Sequence, residues 1–315
     1  DGYKYLRKLP TPTQKRRHMA SAGKAAADGA LGGLPAEAAA LLTSEQRTVC
    51  EAALRGESFF FTGGAGTGKS FLLRQLLQAL GPDGMAVTAS TALAASHLGG
   101  VTLHKWAAVG LGNGDVVTLA RELRGRREAM QRWRQTRTLV IDEISMVDGE
   151  FFAKLEVLAR AVRGSDKPFG GLQLVLAGDF LQLPPVCSQA DGCRFCFEVS
   201  AWARSIKRTF ELTQVFRQKG DLAFCKILNE VRFGQLSEES ARLLRARLIA
   251  GVGSNDAITR LMPLRSEVKR VNERALAALP GQAIRFEARD QGEAGDLDRL
   301  TSAPSVVDLK VGAMV

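Results

Sequence analysis

The chain has 315 residues, which is enough for two compact domains or one large one. Apolar residues make up 45% and charged residues 24%, as in an ordinary soluble globular protein, and no apolar run approaches the roughly 18 residues that a membrane-spanning helix needs. The net charge of +10 favours a polyanionic partner (DNA, RNA or an anionic membrane), although a generic basic surface is the alternative.

The first 41 residues are predicted to be a flexible leader. A basic cluster at Lys15–Arg17 is a weak signal for a nuclear address, and residues 19–40 are rich in Ala and Gly. A short helix over Ala36–Leu42 is the alternative for the end of this leader. Order is expected to begin near Leu42.

Strands and helices then alternate. Thr43 and Ser44, followed by Glu45 and Gln46, predict a capped helix. Short apolar runs predict four buried strands, and a helical pattern over Phe71–Leu80 follows the first of them; the strands are Phe59–Thr62, Met85–Thr88, Leu139–Ile141 and Leu172–Leu176. This alternation predicts an α/β fold, in which helices cover both faces of a parallel sheet.

The loop after the first strand has the G-x-x-x-x-G-K-[ST] pattern of a P-loop. Its residues are Gly63, Gly64, Ala65, Gly66, Thr67, Gly68, Lys69 and Ser70. Glycines let backbone N–H groups converge on phosphate oxygens, and the start of the next helix adds positive potential. We therefore expect ATP here, with Lys69 on the β- and γ-phosphates and the Ser70 hydroxyl on Mg²⁺.

Two carboxylates end the predicted strand Leu139–Ile141. Ligands of parallel sheets bind at the carboxyl ends of the strands, so Asp142 and Glu143 are placed beside the P-loop. We assign Asp142 to Mg²⁺ and Glu143 to the orientation and deprotonation of the attacking water.

A third element follows the strand Leu172–Leu176. In the run Gly178–Pro185, Gln182 is a candidate sensor of the γ-phosphate, and two prolines stiffen the loop so that a displacement is passed on. A purely structural turn is the alternative.

Residues 105–137 interrupt the alternation. Seven arginines lie here, at positions 121, 124, 126, 127, 132, 134 and 137. We interpret the segment as a small basic insertion that faces nucleic acid; a solvated Arg-rich helical surface is the alternative. Trp106, near its start, is expected in the core.

The five cysteines form an odd, sparse set, which indicates a reducing compartment. Cys193 and Cys196 form a C-x-x-C with Cys187 upstream, but a fourth zinc ligand is missing. Ordinary thiols are therefore favoured over structural zinc.

Together, Gly63–Ser70, Asp142–Ser145 and Gly178–Val186 closely resemble the petite-integration-frequency (Pif) helicases, RecD-like members of helicase superfamily one. Residues 42–315 carry the resemblance, and vertebrate members are the most similar in character. The segment Phe151–Gly171 resembles the signature that separates this family from other RecD-like motors.

The resemblance implies further site residues. Gln46 lies in a stretch similar to the family's Q motif and is expected to read the adenine. Thr88–Thr91 and Gly99–His104 resemble a motif that contacts single-stranded DNA, which assigns contacts to Ser90, Thr91, Thr102 and His104; for His104 a core position is the alternative. Arg217, in Leu212–Gln218, is expected to meet the γ-phosphate.

The resemblance also implies a fold and a function. We expect a RecA-like ATPase domain over residues 42–208 and an incomplete second RecA-like motor domain over residues 209–315. The expected activity is that of an ATP- and Mg²⁺-dependent DNA helicase, which moves 5′-to-3′ on single-stranded DNA and acts on G-quadruplexes, RNA–DNA hybrids and forks. A monomer in the nucleus and mitochondrion is expected, in DNA repair, recombination and telomere maintenance.

Three rival functions stay open at this point. One is an RNA helicase of the same superfamily, and another is a ring-forming P-loop ATPase. The third is an ATP- and single-strand-binding module without robust unwinding. It is suggested because the sequence ends at Val315, before two motifs that the family carries, so that weak hydrolysis at most is expected.

Overall fold

The computed structural model describes residues 31–185, 194–218, 220–249, 259–289 and 305–314. Described residues up to Arg245 form one compact unit, and those from Ala246 onward form a second. Most of the predicted leader (residues 1–30), Val186, Cys187 and Cys193 lie outside the described residues.

Six parallel strands form the sheet of the first unit, in the spatial order β3-β2-β4-β5-β1-β6. Their bounds are β1 (Phe59–Gly63), β2 (Met85–Ala89), β3 (Val101–Thr102), β4 (Thr138–Asp142), β5 (Gln173–Ala177) and β6 (Arg208–Leu212). The predicted α/β fold with a parallel sheet is confirmed, and each of the four predicted strands is present within a residue or two.

Among the described residues, ten helices lie in the first unit and an eleventh crosses the boundary to the second. They are α1 (Ala36–Ala40), α2 (Ser44–Leu54), α3 (Lys69–Leu80), α4 (Ala92–His97), α5 (Leu103–Ala107), α6 (Val116–Arg124), α7 (Arg127–Gln135), α8 (Gly149–Arg163), α9 (Ser200–Ser205), α10 (Leu222–Arg232) and α11 (Glu238–Ile249). The predicted cap of α2 is confirmed: the Thr43 hydroxyl accepts from Gln46 N–H, and the Gln46 side chain accepts from Thr43 N–H, both at 3.1 Å.

Successive residues of a strand pack alternately into two separate hydrophobic cores, one on each face of the sheet. Phe59 and Phe61 of β1 pack in one core with α2 and α3, while Phe60 packs in the other, beneath α5–α8. This follows from the two-residue period of a strand, whose side chains point to opposite faces. A sheet that is buried on both faces needs apolar residues at every position, which is why β1 begins Phe-Phe-Phe.

The arginine-rich segment is built into the second of these cores. Trp106 and Trp133 are buried with ring centroids 4.4 Å apart, so the core position predicted for Trp106 is confirmed. Four of the seven arginines donate to backbone carbonyls of the same unit: Arg126 to Ala108, Arg132 to Trp106, Arg134 to Val162 and Arg137 to Asp83. These bonds engage part of each guanidinium with carbonyls at helix and turn ends. Arg126 and Arg137 are also exposed, so the nucleic-acid-facing role of the segment stays a prediction.

Both predicted boundaries of the ATPase domain need correction. Leu31, Leu34 and Ala39 are buried against the α2–α3 core, so the ordered unit begins before Leu42. β6 pairs with β1 along its whole length, from Phe59 opposite Arg208 to Gly63 opposite Leu212, so residues 209–212 complete the first sheet. The first unit then continues to Arg245.

The second unit contains α12 (Arg265–Ala278) and an antiparallel pair, β7 (Ile284–Glu287) and β8 (Val306–Leu309). An ion pair between Arg285 and Asp308, 2.9 Å between Nε and Oδ1, crosses the two strands. The described residues of this unit include no parallel strand pair, so the start of a second RecA-like domain stays a prediction.

Over the residues that the structure describes, no helix is long and apolar enough to cross a bilayer.

Candidate nucleotide site

The P-loop joins β1 to α3 at the carboxyl edge of the sheet. Gly66 (φ 78°) and Gly68 (φ 84°) adopt left-handed backbone conformations that favour glycine. A Cβ at Gly63 would lie 2.6 Å from the Leu212 carbonyl oxygen, so β6 packs against the loop too closely for a side chain. The predicted loop is therefore present, and glycine is favoured at Gly63 by the close approach of β6 and at Gly66 and Gly68 by the backbone conformation.

Lys69 folds back into the loop. Its Nζ donates to the carbonyl oxygens of Gly63 (2.6 Å) and Gly64 (3.1 Å). Burial lowers the pKa of Lys69, and the charges of Asp179, Glu143 and Asp142 oppose that shift. A half-buried ammonium group held by two carbonyls gains a stronger partner when phosphate oxygens enter the loop.

Asp142 is the last residue of β4, which lies between β2 and β5, and Glu143 follows it. Burial raises the pKa of Asp142 to about 6, and the neighbouring Glu143 adds to this, while the Glu143 N–H bond to Asp142 Oδ1 (2.9 Å) opposes it. Glu143 has φ 52°, a conformation that costs a non-glycine residue on the order of 1–3 kcal/mol and that clusters at functional sites. The strain turns Glu143 out of the line of the strand.

The donor set fits the predicted Mg²⁺. Asp142 is a half-buried carboxylate that accepts from the Glu143 N–H, so a cation would offset its desolvation. Ser70, at the start of α3, offers the hydroxyl oxygen. Within the described ranges no cluster of three or more His, Cys, Asp or Glu side chains could hold a metal ion. At nucleotide sites Mg²⁺ is usually bound by one or two protein oxygens, with water and phosphate as its other ligands.

Gln46 lies beside the P-loop and is 1% exposed. A Cβ at Gly68 would be 3.1 Å from Gln46 Nε2. Because Oε1 already accepts from Thr43, the amide nitrogen is the group left to face a base. Gln46 is therefore a neighbour of the P-loop, and its contact with the adenine stays a prediction.

The loop after β5 is organised by Asp179. Its carboxylate accepts from Leu181 N–H and from Gln182 Nε2, both at 3.1 Å. Gln182 is exposed at the same sheet edge as the P-loop and Glu143. Sequence reasoning singled out Gln182 but passed over the buried aspartate that positions it.

Residues 213–218 lie across the P-loop. Phe216 N–H donates to the Gly66 carbonyl oxygen at 2.8 Å, and a Cβ at Gly66 would be 3.0 Å from Arg217 Cβ. Glu45 of α2 anchors the start of this segment, since it accepts from Thr213 Oγ1 (2.6 Å) and N–H (3.0 Å). Arg217 is thus presented by the first unit, which corrects its expected place in a second motor domain.

We call the carboxyl ends of β1, β4 and β5 the phosphate edge, and those of β2 and β3 the outer edge. The candidate DNA contacts meet at the outer edge, where Ala89 pairs with Thr102. The hydroxyls of Thr91 and Thr102 cap α4 and α5, accepting from Ala94 N–H (3.2 Å) and Lys105 N–H (3.3 Å). Ser90 Oγ is buried and has no partner among the described residues.

His104 is half-buried and stacks on Phe151, with ring centroids 4.2 Å apart and planes 5° from parallel. Burial lowers the pKa of His104, which favours the neutral imidazole at pH 7. A neutral ring that packs on a core phenylalanine fits the core alternative for His104, and the DNA contact stays a prediction.

Sequence reasoning missed one more group at the phosphate edge, Arg232 at the end of α10. It pairs with Asp179 at 2.8 Å between Nε and Oδ2. Arg232 belongs to no recognised sequence motif, so no local pattern indicated a role for it.

Cys196 is the one member of the cysteine cluster that lies among the described residues. Cys196 is buried, and its Sγ donates to the Val147 carbonyl oxygen at 3.1 Å. Burial raises the pKa of this thiol, as expected for an inert structural cysteine.

Comparisons with known proteins agree with this geometry. A family model described as "PIF1-like helicase" matches residues 41–242. The human protein "ATP-dependent DNA helicase PIF1" is 46% identical over 277 residues, which cover 87% of this chain and 43% of that protein.

Two solved structures share the RecA-like fold. The crystal structure of Pif1 helicase from Candida albicans superposes with a TM-score of 0.78 at 42% identity, covering 86% of this chain and 63% of that one. Pif1 helicase from Bacteroides, solved in complex with ADP-AlF3 and ssDNA, superposes with a TM-score of 0.65 at 26% identity. The match covers 86% of this chain and 64% of that one. The chain therefore spans less than half of its human relative and under two thirds of each solved one.

Proposed function

The chain belongs to the PIF1-like helicase family, and on this premise we propose that it functions as an ATP-dependent DNA helicase that moves 5′-to-3′ along single-stranded DNA. The observation that carries the proposal is the convergence at one sheet edge of Lys69, Asp142 and Glu143 with the segment that bears Arg217. This is the set of groups that phosphoryl transfer to water requires.

Each group has a task that its position supports. Backbone N–H groups of the P-loop and the Lys69 ammonium hold the β- and γ-phosphates, and the Lys69 bonds to Gly63 and Gly64 are exchanged for phosphate oxygens. Glu143, turned out of β4, accepts the proton of the attacking water. Arg217 places positive charge on the γ-phosphate as charge develops there.

Mg²⁺, held by Ser70 and Asp142, would neutralise charge on the phosphate oxygens. Gln182 reports whether the γ-phosphate is present, because its side chain can exchange Asp179 for a phosphate oxygen. Gln46 contacts the adenine through Nε2.

The proposed DNA path follows the outer edge, past Ser90, Thr91, Thr102 and His104. A hydroxyl that accepts from a helix N–H still has its own proton to donate to a phosphate oxygen. The net charge of +10 supports a polyanionic partner. The relative solved with single-stranded DNA supports the same class of partner.

The finer parts of the proposal rest on the family resemblance. They are a monomeric enzyme of the nucleus and mitochondrion, which unwinds G-quadruplexes, RNA–DNA hybrids and forks in DNA repair, recombination and telomere maintenance.

The test is ATP hydrolysis by the 315-residue chain with and without single-stranded DNA, beside the Lys69→Ala variant. We expect DNA-stimulated turnover that the variant lacks. Duplexes with a 5′ or a 3′ single-stranded tail, and matched RNA strands, then test polarity and the choice of DNA. Binding of ATP and DNA without stimulated turnover would favour an ATP-gated binding module, and hydrolysis retained in Lys69→Ala would refute the assigned site.

A further inference from the structure

A buried ion pair beside the phosphate edge has no role in the hydrolysis steps above. Arg232, the last residue of α10, grips the Asp179 carboxylate with two donors, at 2.8 Å (Nε to Oδ2) and 3.0 Å (Nη2 to Oδ1). The side chain of Asp179 is 1% exposed and that of Arg232 is 13% exposed. Two parallel bonds from a planar guanidinium allow one relative orientation, so the pair fixes the end of α10 on the loop after β5.

The same carboxylate holds the candidate γ-phosphate sensor. Asp179 Oδ2 accepts from Arg232 Nε and also from Gln182 Nε2, while Oδ1 accepts from Arg232 Nη2 and from Leu181 N–H. Burial alone would raise the pKa of Asp179, but the bonds and charge of Arg232, together with the bonds from Leu181 N–H and Gln182 Nε2, outweigh it, so its pKa is lowered. The aspartate is thus an ionised hub that joins Gln182 to α10.

Arg232 also lies near the phosphate site. A Cβ at Gly64 would be 4.0 Å from Arg232 Cδ. The helix that Arg232 ends begins at Leu222, four residues after Gln218. The segment with Arg217 therefore leads directly into this helix.

We infer that Arg232 and Asp179 form a clamp that passes the state of the γ-phosphate from Gln182 to α10; this inference rests on the proposed function of the site. Arg232 acts here as a positioning residue. When Gln182 turns to a γ-phosphate, Asp179 Oδ2 loses one of its two donors, and the carboxylate moves with the guanidinium that it still holds. The helix α10 and the preceding segment with Arg217 then adopt one placement with ATP and another with ADP.

The decisive experiment measures amide hydrogen exchange of Leu222–Arg232 in the full chain. Saturating ADP is compared with saturating adenylyl imidodiphosphate, a non-hydrolysable ATP analogue, each with Mg²⁺. Arg232→Lys keeps the positive charge but removes the two-donor fork. Lys226→Arg is the matched control on the same helix, since Lys226 pairs at the surface with Glu239 (2.6 Å). If Arg232→Lys does not fold, Asp179→Asn/Arg232→Gln, which leaves no buried charge unpaired, replaces it.

We expect the analogue to slow exchange in α10 by at least about fivefold relative to ADP in the wild type and in Lys226→Arg. In Arg232→Lys and in the double variant this difference should fall below about twofold, with affinities for both nucleotides kept within about threefold. An unchanged difference in Arg232→Lys, or no difference in the wild type, would overturn the clamp. So would an affinity for the analogue alone that falls more than about tenfold in Arg232→Lys, because Arg232 would then be a phosphate ligand.

Failure of the proposed function has a different signature. A wild-type chain that shows the exchange difference but no DNA-stimulated hydrolysis would refute the helicase proposal and still support the clamp. A normal DNA-stimulated ATPase without the exchange difference would refute the clamp and still support the helicase proposal.

Discussion

The phosphate edge and the outer edge of the same sheet hold their side chains in different ways. At the phosphate edge the polar groups are positioned by contacts with one another and with strained backbone: Lys69 on two carbonyls, Glu143 at φ 52° and Asp179 in a two-donor ion pair. At the outer edge, Thr91 and Thr102 cap short helices and His104 stacks on Phe151.

This difference separates what is specific to function from what folding alone explains. A capping threonine and a stacked histidine stabilise a fold whether or not DNA binds. A glutamate in the left-handed region costs free energy in the folded state, and a half-buried ammonium held by neutral carbonyls would gain from an anionic ligand, so both point to a binding site. We therefore expect large effects of substitution at the phosphate edge and smaller, more selective ones at the outer edge.

The largest expected effect is that of Glu143→Gln. The amide cannot accept the proton of the attacking water, so turnover should fall on the order of 10³- to 10⁴-fold. ATP affinity should be kept or increased, because the amide removes a negative charge beside the γ-phosphate. Single-turnover hydrolysis and nucleotide binding measure the two quantities. Turnover within about tenfold of the wild type would exclude Glu143 as the base.

Arg217→Ala is expected next in size. An arginine that stabilises the charge developing on a transferred phosphoryl group raises the rate on the order of 10³-fold or more. The hydrogen bond from Phe216 N–H to the Gly66 carbonyl does not depend on the Arg217 side chain, so the local backbone should be kept. We expect kcat to fall roughly 10³-fold with ATP affinity nearly unchanged. Arg124→Ala, an exposed arginine of α6, is the matched control and should leave kcat unaltered. Equal losses in both variants would show a general charge effect.

A third prediction concerns the scaffold beneath both edges. Arg163 of α8 donates to the carbonyls of Gly170 (2.8 Å), Trp133 (2.7 Å) and Thr136 (2.7 Å). Arg163→Met keeps the apolar stem but leaves these acceptors unpaired, so the free energy of unfolding should fall by about 2–4 kcal/mol. Urea denaturation measures this, with Arg124→Met as an exposed control that should change stability by less than about 0.5 kcal/mol.

These residues also show what the sequence could predict. The sheet and the P-loop were predictable because their signals are local: an apolar strand, a glycine loop and a capped helix within a few residues. The resemblance of Phe151–Gly171 to a family signature was visible too, but its physical basis was not. Arg163 joins Gly170 to Trp133 and Thr136, contacts that depend on how α7 and α8 pack.

Features set by distant parts of the chain were missed or misplaced. β6 completes the first sheet because it pairs with β1, some 150 residues earlier in the sequence, so the boundary at residue 208 was wrong. Arg232 could not be found either, since its partner Asp179 comes from another element and no motif spans the two. Composition also could not show that four arginines of residues 105–137 bind backbone carbonyls, because it counts charges and not contacts.

The smallest expected effect, and the sharpest test of the outer edge, comes from Thr102→Asp. Aspartate is as good a helix cap as threonine, so the bond to Lys105 N–H and the fold should be kept. If the hydroxyl faces a DNA phosphate, the new charge repels it, and affinity for single-stranded DNA should fall roughly tenfold at moderate salt. Thr102→Ser keeps both the cap and the hydroxyl and should bind as the wild type does. An unchanged affinity in Thr102→Asp would place the DNA elsewhere. A neutral and a negatively charged side chain can give the same affinity for DNA only where no phosphate lies close to them.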